Sequence, residues 1–600
     1  MKYLLIMPRD ASRGTSLSIF PIGLAYVSSS MKNAGHDVYT VNLEYQEGDI
    51  FSILQELIRQ LSIDVICTSG LSLDYKKILD VLESVRKHDP SIITVVGGGI
   101  ISSDPVTAMR VLNADIGIIG QGEITMCELA HALDTGSSYS DIPGIIYREK
   151  DDTLTITSQR EEISDLDCIS FPDFDGFHYA KWTECSGYGV VTCSRSCPLA
   201  CTFCFHPSGQ KYRQRSLYNI FKEIDYQVEH FRLKEISLID ELFATKRDRV
   251  MEFCRRIKPY NLSWSLCLRV CDVDVEMLVE MKKSGCRSIS YGLESADDSI
   301  LKSMRKGITV DQIERALNNT YEANINVFSN FIFGDINETP ATVSNTIHFW
   351  EKHLGRDYIN LDLISSYPGT YLYKYACDAG IISDKEQFLK DGCPVVNVSK
   401  LSNEEYLDLQ SLITELRLKP HVACRSLRVL DVRSNGNCSI EFECRKCGEV
   451  NYTDLFFWYN GIYTCSSCGL LNGVDPIEIA QCREDVMSSV LPATGNIGLW
   501  GAGGIYYKLM QKYSLFTSER YLLIDADKRL QGMSICNKKI YSPDEIAANN
   551  VQAVIIMALS RKDEIYDTIC KKYPSVERIF VPVFDIQNEG LVPSMRLFGS

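Results

Sequence analysis

The 600-residue chain has no run of about 18 apolar residues, the least a membrane-crossing helix needs. It has no internal repeat and no low-complexity tract, which excludes solenoids and long disordered tails. A basic bias is also missing. Lys and Arg number 62 against 78 Asp and Glu, a formal charge of −16, whereas an enzyme gripping a nucleic-acid backbone is expected to show a basic face or module. Neither nucleic acid nor membrane is therefore an expected partner. The opening MKYLLIMPRD is too short for a secretory signal and runs straight into charge, so it reads as a buried strand. The 23 cysteines then point to a reducing, cytoplasmic setting in which metal ligation is a better explanation than disulfides.

Three of those cysteines carry most of the chemical information. Cys197, Cys201 and Cys204, in CPLACTFC, have the C-x3-C-x2-C spacing that ligates three irons of a 4Fe-4S cube and leaves the fourth iron without a protein ligand. Such an open iron chelates the amino and carboxylate groups of S-adenosylmethionine and passes an electron to its sulfonium. The alternatives are a zinc knuckle or unliganded core thiols, but a knuckle needs a second cysteine pair, and Phe203 sits just before the last thiol. The run YGVVTCS leads into this loop, placing the cysteines beyond the C-terminal end of a strand.

From here the chain resembles the radical S-adenosylmethionine superfamily. After YGVVTCS come EISLIDELF, SWSLCLRV, SISYGLES, NVFSNFIFGD and INLDLISSYPGT, each preceded by a helix-length segment, six β units in all. Thr309 is the expected cap of the helix VDQIERALNNTYEA. The resemblance implies a partial (β/α)6 barrel over residues 185–400. It also implies cofactor contacts at strand ends. Asp240 and Glu241 stand where the superfamily keeps an acidic contact to the methionine amino group, Arg269 where a guanidinium would pair with the carboxylate, and Glu294 near the ribose or methionyl end. Taken singly, each reads equally well as a surface ion pair or a helix cap.

The first 140 residues read as five strands, YLLIMP, DVYTVNL, DVICTSG, ITVVGGG and IGIIG, separated by helices, a flavodoxin-like α/β pattern. Glycines crowd the strand ends: Gly70, Gly97, Gly98, Gly120 and Gly122 are the candidate cofactor contacts, since they let backbone approach a large planar ligand. This domain looks like the cobalamin-binding domain ahead of many radical S-adenosylmethionine barrels. The join IPGIIYR followed by DLDCISFPDF is similar to that family too, and residues 141–184 are expected to be a linker. One departure stands out. The D-x-H-x-x-G motif that ligates cobalt from below is absent; the nearest string is DASRG, Asp10 to Gly14, and His36, His88 and His131 sit in contexts that read as solvated. Cobalamin is thus expected to bind without a histidine under the cobalt, the alternative being a degenerate domain that has lost it.

Beyond residue 400 a helical linker, 401–435, is expected to precede a cysteine-dense segment. Cys444 and Cys447, in CRKCG, and Cys465 and Cys468, in CSSCG, are separated by a 17-residue spacer containing LFFWYNGIYT, the pattern of a zinc ribbon over 436–475. An auxiliary iron–sulfur cluster that recruits Cys424 and Cys438 is the competing reading. Residues 493–600 begin NIGLWGAGGIYYKLM and reach Asp525 at the end of YLLIDADKRLQG, a Rossmann-like pattern. Tyr506 stands where the third glycine belongs, so nucleotide binding and a structural role remain equally open.

Together these readings lead us to expect a cobalamin-dependent radical S-adenosylmethionine enzyme, a methyltransferase at an unactivated carbon of a small molecule. Its cofactors would be a 4Fe-4S cluster, S-adenosylmethionine, cobalamin and zinc, and its electron source a flavodoxin or ferredoxin. Two alternatives stand beside it: a cobalamin-binding enzyme that oxidises, cyclises or rearranges its substrate, and a ligand sensor with an inert cluster.

Overall fold

A computed structural model describes residues 1–9, 20–433, 437–456, 461–587 and 590–599. The string Asp10 to Gly14 lies outside them, as do residues 457–460 of the ribbon spacer. The chain divides into two compact units, the first comprising 1–319, 334–337 and 364–399, the second 320–333, 338–363 and 400–600. Among the described residues no helix is long and apolar enough to cross a membrane.

The first unit opens with five parallel strands, β1 (Lys2–Met7), β2 (Asp37–Asn42), β3 (Val65–Ser69), β4 (Ile93–Gly97) and β5 (Ile116–Ile118). Their order, β2-β1-β3-β4-β5, is the flavodoxin-like order expected. The helices form for local reasons. Ile50–Leu61 has Ile50, Leu54 and Ile58 on one face, Asp49 accepting the Ser52 amide as its cap, and a left-handed residue, Ser62, at its end. Each of those side chains is buried, a gain of roughly 1.5–3 kcal/mol apiece over exposure.

The sheet is larger than the sequence implies. β6 (Ile145–Arg148) and β7 (Leu154–Ile156) add antiparallel to β5, so residues 141–184 are not a linker. Phe174, Phe177, Tyr179 and Trp182 of the same segment are buried against Phe20 and the sheet. The stretch FPDFDGFHYAKW reads as loop because of its Pro, Gly and Asp, yet its aromatic rings supply core.

Barrel strands follow: β8 (Tyr188–Val191), the short pair β9 (Ser194–Arg195) and β10 (Arg213–Gln214), then β11 (Glu235–Leu238), β12 (Ser263–Leu268) and β13 (Cys286–Glu294). Strands β8, β11, β12 and β13 are successive parallel neighbours. Residues 373–398 belong to the first unit but pack through Tyr373, Ile382, Phe388 and Val398 on the helices of the N-terminal sheet, so the 185–400 boundary does not describe a barrel alone.

The second unit contains a parallel pair, β14 (Asn326–Phe333) and β15 (Tyr358–Leu363). Next come the antiparallel sheet β16 (Ser426–Val432), β17 (Asn437–Glu443) and β18 (Val450–Phe456), and the hairpin β19 (Gly461–Thr464) with β20 (Leu471–Val474). The expected linker 401–435 therefore holds a strand of the ribbon sheet. The chain ends in β21 (Asn496–Trp500), β22 (Tyr521–Ile524), β23 (Ser534–Ile535), β24 (Lys538–Tyr541), β25 (Val551–Ile556), β26 (Arg578–Gln587) and β27 (Gly590–Leu597), with the parallel order β24-β22-β21-β25-β26 of a Rossmann-like sheet. Here the glycine turn is closed. Asp525 accepts the Ala502 amide at 2.8 Å through one oxygen and the Asp527 amide at 2.8 Å through the other. Tyr506 is fully buried in place of the third glycine and donates to the Ile535 carbonyl.

Candidate functional site

The cysteine loop is tied at its base by the sheet itself. β9 pairs with β10, Arg195 opposite Arg213 and Ser194 opposite Gln214, so residues 196–212 leave and return at one point. Asp240, just past β11, anchors that base: one carboxylate oxygen accepts the Cys193 amide at 2.7 Å and also the amide and hydroxyl of Ser194. Farther out, the Thr202 amide donates to the Met304 carbonyl at 3.2 Å, and the Leu372 amide donates to the Thr202 carbonyl at 3.1 Å. Ser196, immediately before Cys197, is buried in the left-handed region at φ 67°, a strained setting for a non-glycine residue.

Burial pushes the Cys197, Cys201 and Cys204 thiols up, while Lys306 pulls all three down and Arg269 the first two. Lys306 was not foreseen from the sequence. Its ammonium, 2.7 Å from Glu294, is disfavoured by burial, but the carboxylate outweighs that and its pKa is raised. Glu294, also left-handed at φ 64°, holds Lys306 beside Gly292, where any Cβ would collide with both partners. Arg269 donates to the Gly307 carbonyl at 3.2 Å, and its Nε is buried without a partner. The donor set suits an iron cube: three thiols in one loop, two cations to offset the charge of the ligated sulfurs, and one neighbouring cysteine, Cys193, sealed in the core.

A cavity of about 410 Å³ joins this loop to the N-terminal sheet. One wall is made of Gly97, Gly98, Gly120 and Gly122 with Thr68 and Ser69, the other of Thr192, Ser194, Arg195, Ser196, Ser208, Asp240 and Glu241. Gly98 has φ 85°, and a Cβ there would stand 2.8 Å from the Gly70 carbonyl oxygen, so only glycine fits. The cavity floor, Leu24, Val27, Val95, Ile118 and Met126, is apolar. Three buried polar atoms of lining residues have no partner, the second Asp240 oxygen, the Ser196 hydroxyl and the Gln121 amide nitrogen, and each such atom costs roughly 1–3 kcal/mol unless a ligand meets it. Burial raises the Asp240 pKa to about 6 against the amides of Cys193 and Ser194, which lower it. A glycine rim, an apolar slot and unmet polar atoms fit a flat, part-polar cofactor.

Three expected contacts lie elsewhere. Gly70 lines a separate, smaller pocket with Met7 and Asp74, and its carbonyl accepts the Ile100 amide; Arg269 and Glu294 do not line the cavity but group with Lys306 near the thiols. Among the described residues no histidine lines the cavity, and His36 is not solvated: it pairs with Asp134 at 2.8 Å against the Tyr3 ring. The sequence also gave no sign of the buried Arg195–Glu123 ion pair, which ties the residue two before Cys197 to the helix that follows Gly120. Arg195 additionally lies over the Tyr26 ring at 5.3 Å. His206 pairs with Glu241, and that hydrogen bond raises the imidazole pKa against burial.

Residues 191–349 match the Radical SAM superfamily, and residues 15–130 match the B12 binding domain. The chain therefore carries a B12 binding domain ahead of a radical SAM domain. The cofactors of this radical SAM enzyme are accordingly a 4Fe-4S cluster, S-adenosylmethionine and cobalamin. Among its relatives, an uncharacterized methyltransferase, PH0819, of Pyrococcus horikoshii is 29% identical over 385 residues, 63% of this chain and 83% of the relative. An anaerobic magnesium-protoporphyrin IX monomethyl ester cyclase of Rubrivivax gelatinosus is 25% identical over 429 residues, 68% and 76% of the two chains. The solved radical S-adenosylmethionine methyltransferase TsrM of Kitasatospora setae shares the fold, with a TM-score of 0.54 at 18% identity over 63% of this chain and 76% of that one.

In the second unit, the thiols of Cys444, Cys447, Cys465 and Cys468 lie mutually within 4.8 Å. The pairs Cys444–Cys468 and Cys447–Cys465 are 3.7 and 3.6 Å apart, close to the roughly 3.8 Å of sulfurs around a tetrahedral zinc. Both knuckles use one turn: the amides of Gly448 and Gly469 donate back to the carbonyls of Cys444 and Cys465, at φ 77° and 78°. Asn472 and Asn451 donate to the sulfurs of Cys444 and Cys465. Burial pushes the Cys444 thiol up, but the amides of Cys447 and Lys446 and the Asn472 side chain prevail and bring it down to about 6. Cys438 is buried in the apolar core and Cys424 packs against it, which leaves four thiols and favours zinc over an auxiliary cluster.

Proposed function

We propose that the protein is a cobalamin-dependent radical S-adenosylmethionine methyltransferase acting on a carbon of a small molecule. The observation that carries this reading is the shared cavity: the glycine rim of the B12-binding sheet and the base of the cysteine loop form its opposite walls. When bound, the cofactors supply one-electron cleavage of a carbon–sulfur bond and a transferable methyl group. The protein's part is placement. Asp240 holds the loop base with one oxygen and presents the other to a cationic or hydroxyl-bearing ligand group. Glu241 stands beside it, positioned by His206. Lys306 and Glu294 set the charge next to the thiols. The Arg195–Glu123 pair fixes the loop base against the cofactor domain, and the apolar floor keeps water from the reacting centre. In the second unit, Cys444, Cys447, Cys465 and Cys468 would hold a structural zinc.

The test is anaerobic reconstitution with iron, sulfide and hydroxocobalamin, metal analysis, and product mass spectrometry across candidate small molecules. A product heavier by CH2 supports methyl transfer. Loss of two hydrogens with no added carbon favours the second reading, non-methylating oxidation or cyclisation, for which the observation is the likeness to the cyclase of Rubrivivax gelatinosus. Absence of 5′-deoxyadenosine from cluster-loaded, strongly reduced protein would leave only the sensor.

A further inference from the structure

The cysteine loop is held against the N-terminal sheet at both of its ends. Before it, Arg195 pairs with Glu123 beside the rim glycines Gly120 and Gly122. After it, Phe205, the residue next to the last thiol, stacks on Tyr367 with ring centroids 5.6 Å apart and planes 29° from parallel. Two glycines make room for this stack, one from each side. At Gly99, which opens the short helix Gly99–Ser103 directly after the rim glycines Gly97 and Gly98, a Cβ would stand 2.7 Å from Leu71, 3.4 Å from the Tyr367 hydroxyl and 3.5 Å from the Phe205 ring. At Gly369, φ 85°, it would stand 2.8 Å from two Phe205 ring carbons and 3.2 Å from the Ser103 α-carbon. The Tyr367 hydroxyl accepts the Ser72 amide at 2.7 Å, and the Ser72 and Ser103 hydroxyls are 3.3 Å apart. The Ile100 amide donates to the Gly70 carbonyl at 3.0 Å, so the turns that end β3 and β4 are bonded to one another and to the phenol.

The segment that carries Tyr367 is tied to the cysteine loop as well. Thr370 donates to the Tyr367 carbonyl at 2.7 Å and accepts the Tyr373 amide, capping the helix Tyr371–Asp378, from which the Leu372 amide reaches the Thr202 carbonyl. Tyr373 donates to Asp104 at 3.4 Å. One short stretch, Tyr367 to Tyr373, thus meets the loop at Thr202 and Phe205 and the cofactor sheet at Ser72, Ser103 and Asp104. Ordinary core packing would need neither a phenol bonded to a backbone amide nor a glycine on each side of the rings.

We propose that Phe205 and Tyr367 are positioning residues which, with the Arg195–Glu123 pair at the other end of the loop, fix the separation and tilt of the cysteine loop relative to the cobalamin-binding rim. They act through the loop and the rim, not on the reacting atoms. Two attachments are needed because a single ion pair sets one distance and leaves the loop free to rotate about it. The cluster ligands and the glycine rim belong to different sheets, and a misplacement of about 1 Å between reacting groups already costs rate steeply.

This inference rests on the cobalamin-dependent reading, and the test separates the two. The full-length protein is reconstituted with iron, sulfide and hydroxocobalamin, and dithionite brings the cluster to 1+ and the cobalt to Co(II), both paramagnetic. Pulsed electron paramagnetic resonance then measures the distance between the two spins. The parent should give one narrow distribution. Tyr367→Leu, which removes both ring and hydroxyl, should shift or broaden it by about 1 Å or more, while bound iron, bound cobalt and the yield of 5′-deoxyadenosine with S-adenosylmethionine stay at the parent's level. Tyr367→Phe keeps the stack, loses only the Ser72 bond and should restore most of the parent distribution. A lowered unfolding midpoint in Y367L with an unchanged distance overturns the proposal, because the contact then serves stability alone. A Y367F distribution as broad as that of Y367L overturns the role of the stack. A parent that binds no iron or no cobalt means that the cofactor reading has failed and the proposal with it. Should Y367L load less iron, Gly99→Ala carries the comparison, since its added methyl enters the same seam from the cofactor sheet.

Discussion

Two sets of cysteines in this chain are arranged in opposite ways. The four of the ribbon stand within 4.8 Å of one another, on two matching turns, with asparagine amides aimed at two sulfurs; Cys444 is drawn down to about 6 while burial pushes Cys468 up. Such a grouping is what a metal that holds a small domain together requires. The three of the barrel loop belong to no such tight group, and burial pushes all their thiols up. Their surroundings are organised instead: Lys306, Glu294 and Arg269 on one side, Asp240 and Glu241 on the other. A structural centre arranges its ligands, and a reactive centre arranges what meets the open coordination position.

The sharpest break in this comparison is Cys201→Ala. Bound iron should fall from about four per chain to near zero and cleavage of S-adenosylmethionine should cease, while zinc stays at one. Retained cleavage in that variant contradicts the assignment of these thiolates. Cys447→Ser should do the reverse, removing zinc and lowering the unfolding midpoint while iron and 5′-deoxyadenosine formation persist; coincident loss of both metals would mean the two sites are not independent.

A smaller effect is expected at Glu123→Gln. It leaves the Arg195 guanidinium buried without its carboxylate, which costs about 3–5 kcal/mol, and cobalamin retention measured after gel filtration should fall. Unaltered retention and stability would show that this pair does not hold the two walls together. The mildest test is pH. With the Asp240 pKa raised to about 6, charging it opposes folding: the unliganded protein should lose about 3 kcal/mol as pH rises from about 4 through 6. Binding of a cationic ligand has the opposite sign and should strengthen over the same interval as the carboxylate forms. Asp240→Asn should flatten both curves in calorimetry, and a persisting slope would assign it to another group.

The two wound sheets were equally visible in the sequence and turned out differently. In the N-terminal sheet the glycine edges border a cavity; in the C-terminal one, Asp525 spends both oxygens on backbone amides and Tyr506 fills the remaining space. Strand patterns do not tell these apart, because the difference lies in where two carboxylate oxygens point. The aromatic segment Phe174–Trp182 was misread for a related reason: loop-forming residues between the rings masked a set of side chains whose burial depends on a sheet folded from distant residues.

By itself the sequence determined whatever is local. Cysteine spacing is set by the reach of a short loop, strand and helix periods by backbone geometry, and glycine at position 98 by its φ. The tertiary structure alone decided the pairings of Arg195 with Glu123 and of Lys306 with Glu294, and which of the glycines border the cavity. Those pairs join residues up to 72 positions apart. Their energies exist only once burial has removed the competing water, and no pattern along the chain records that step.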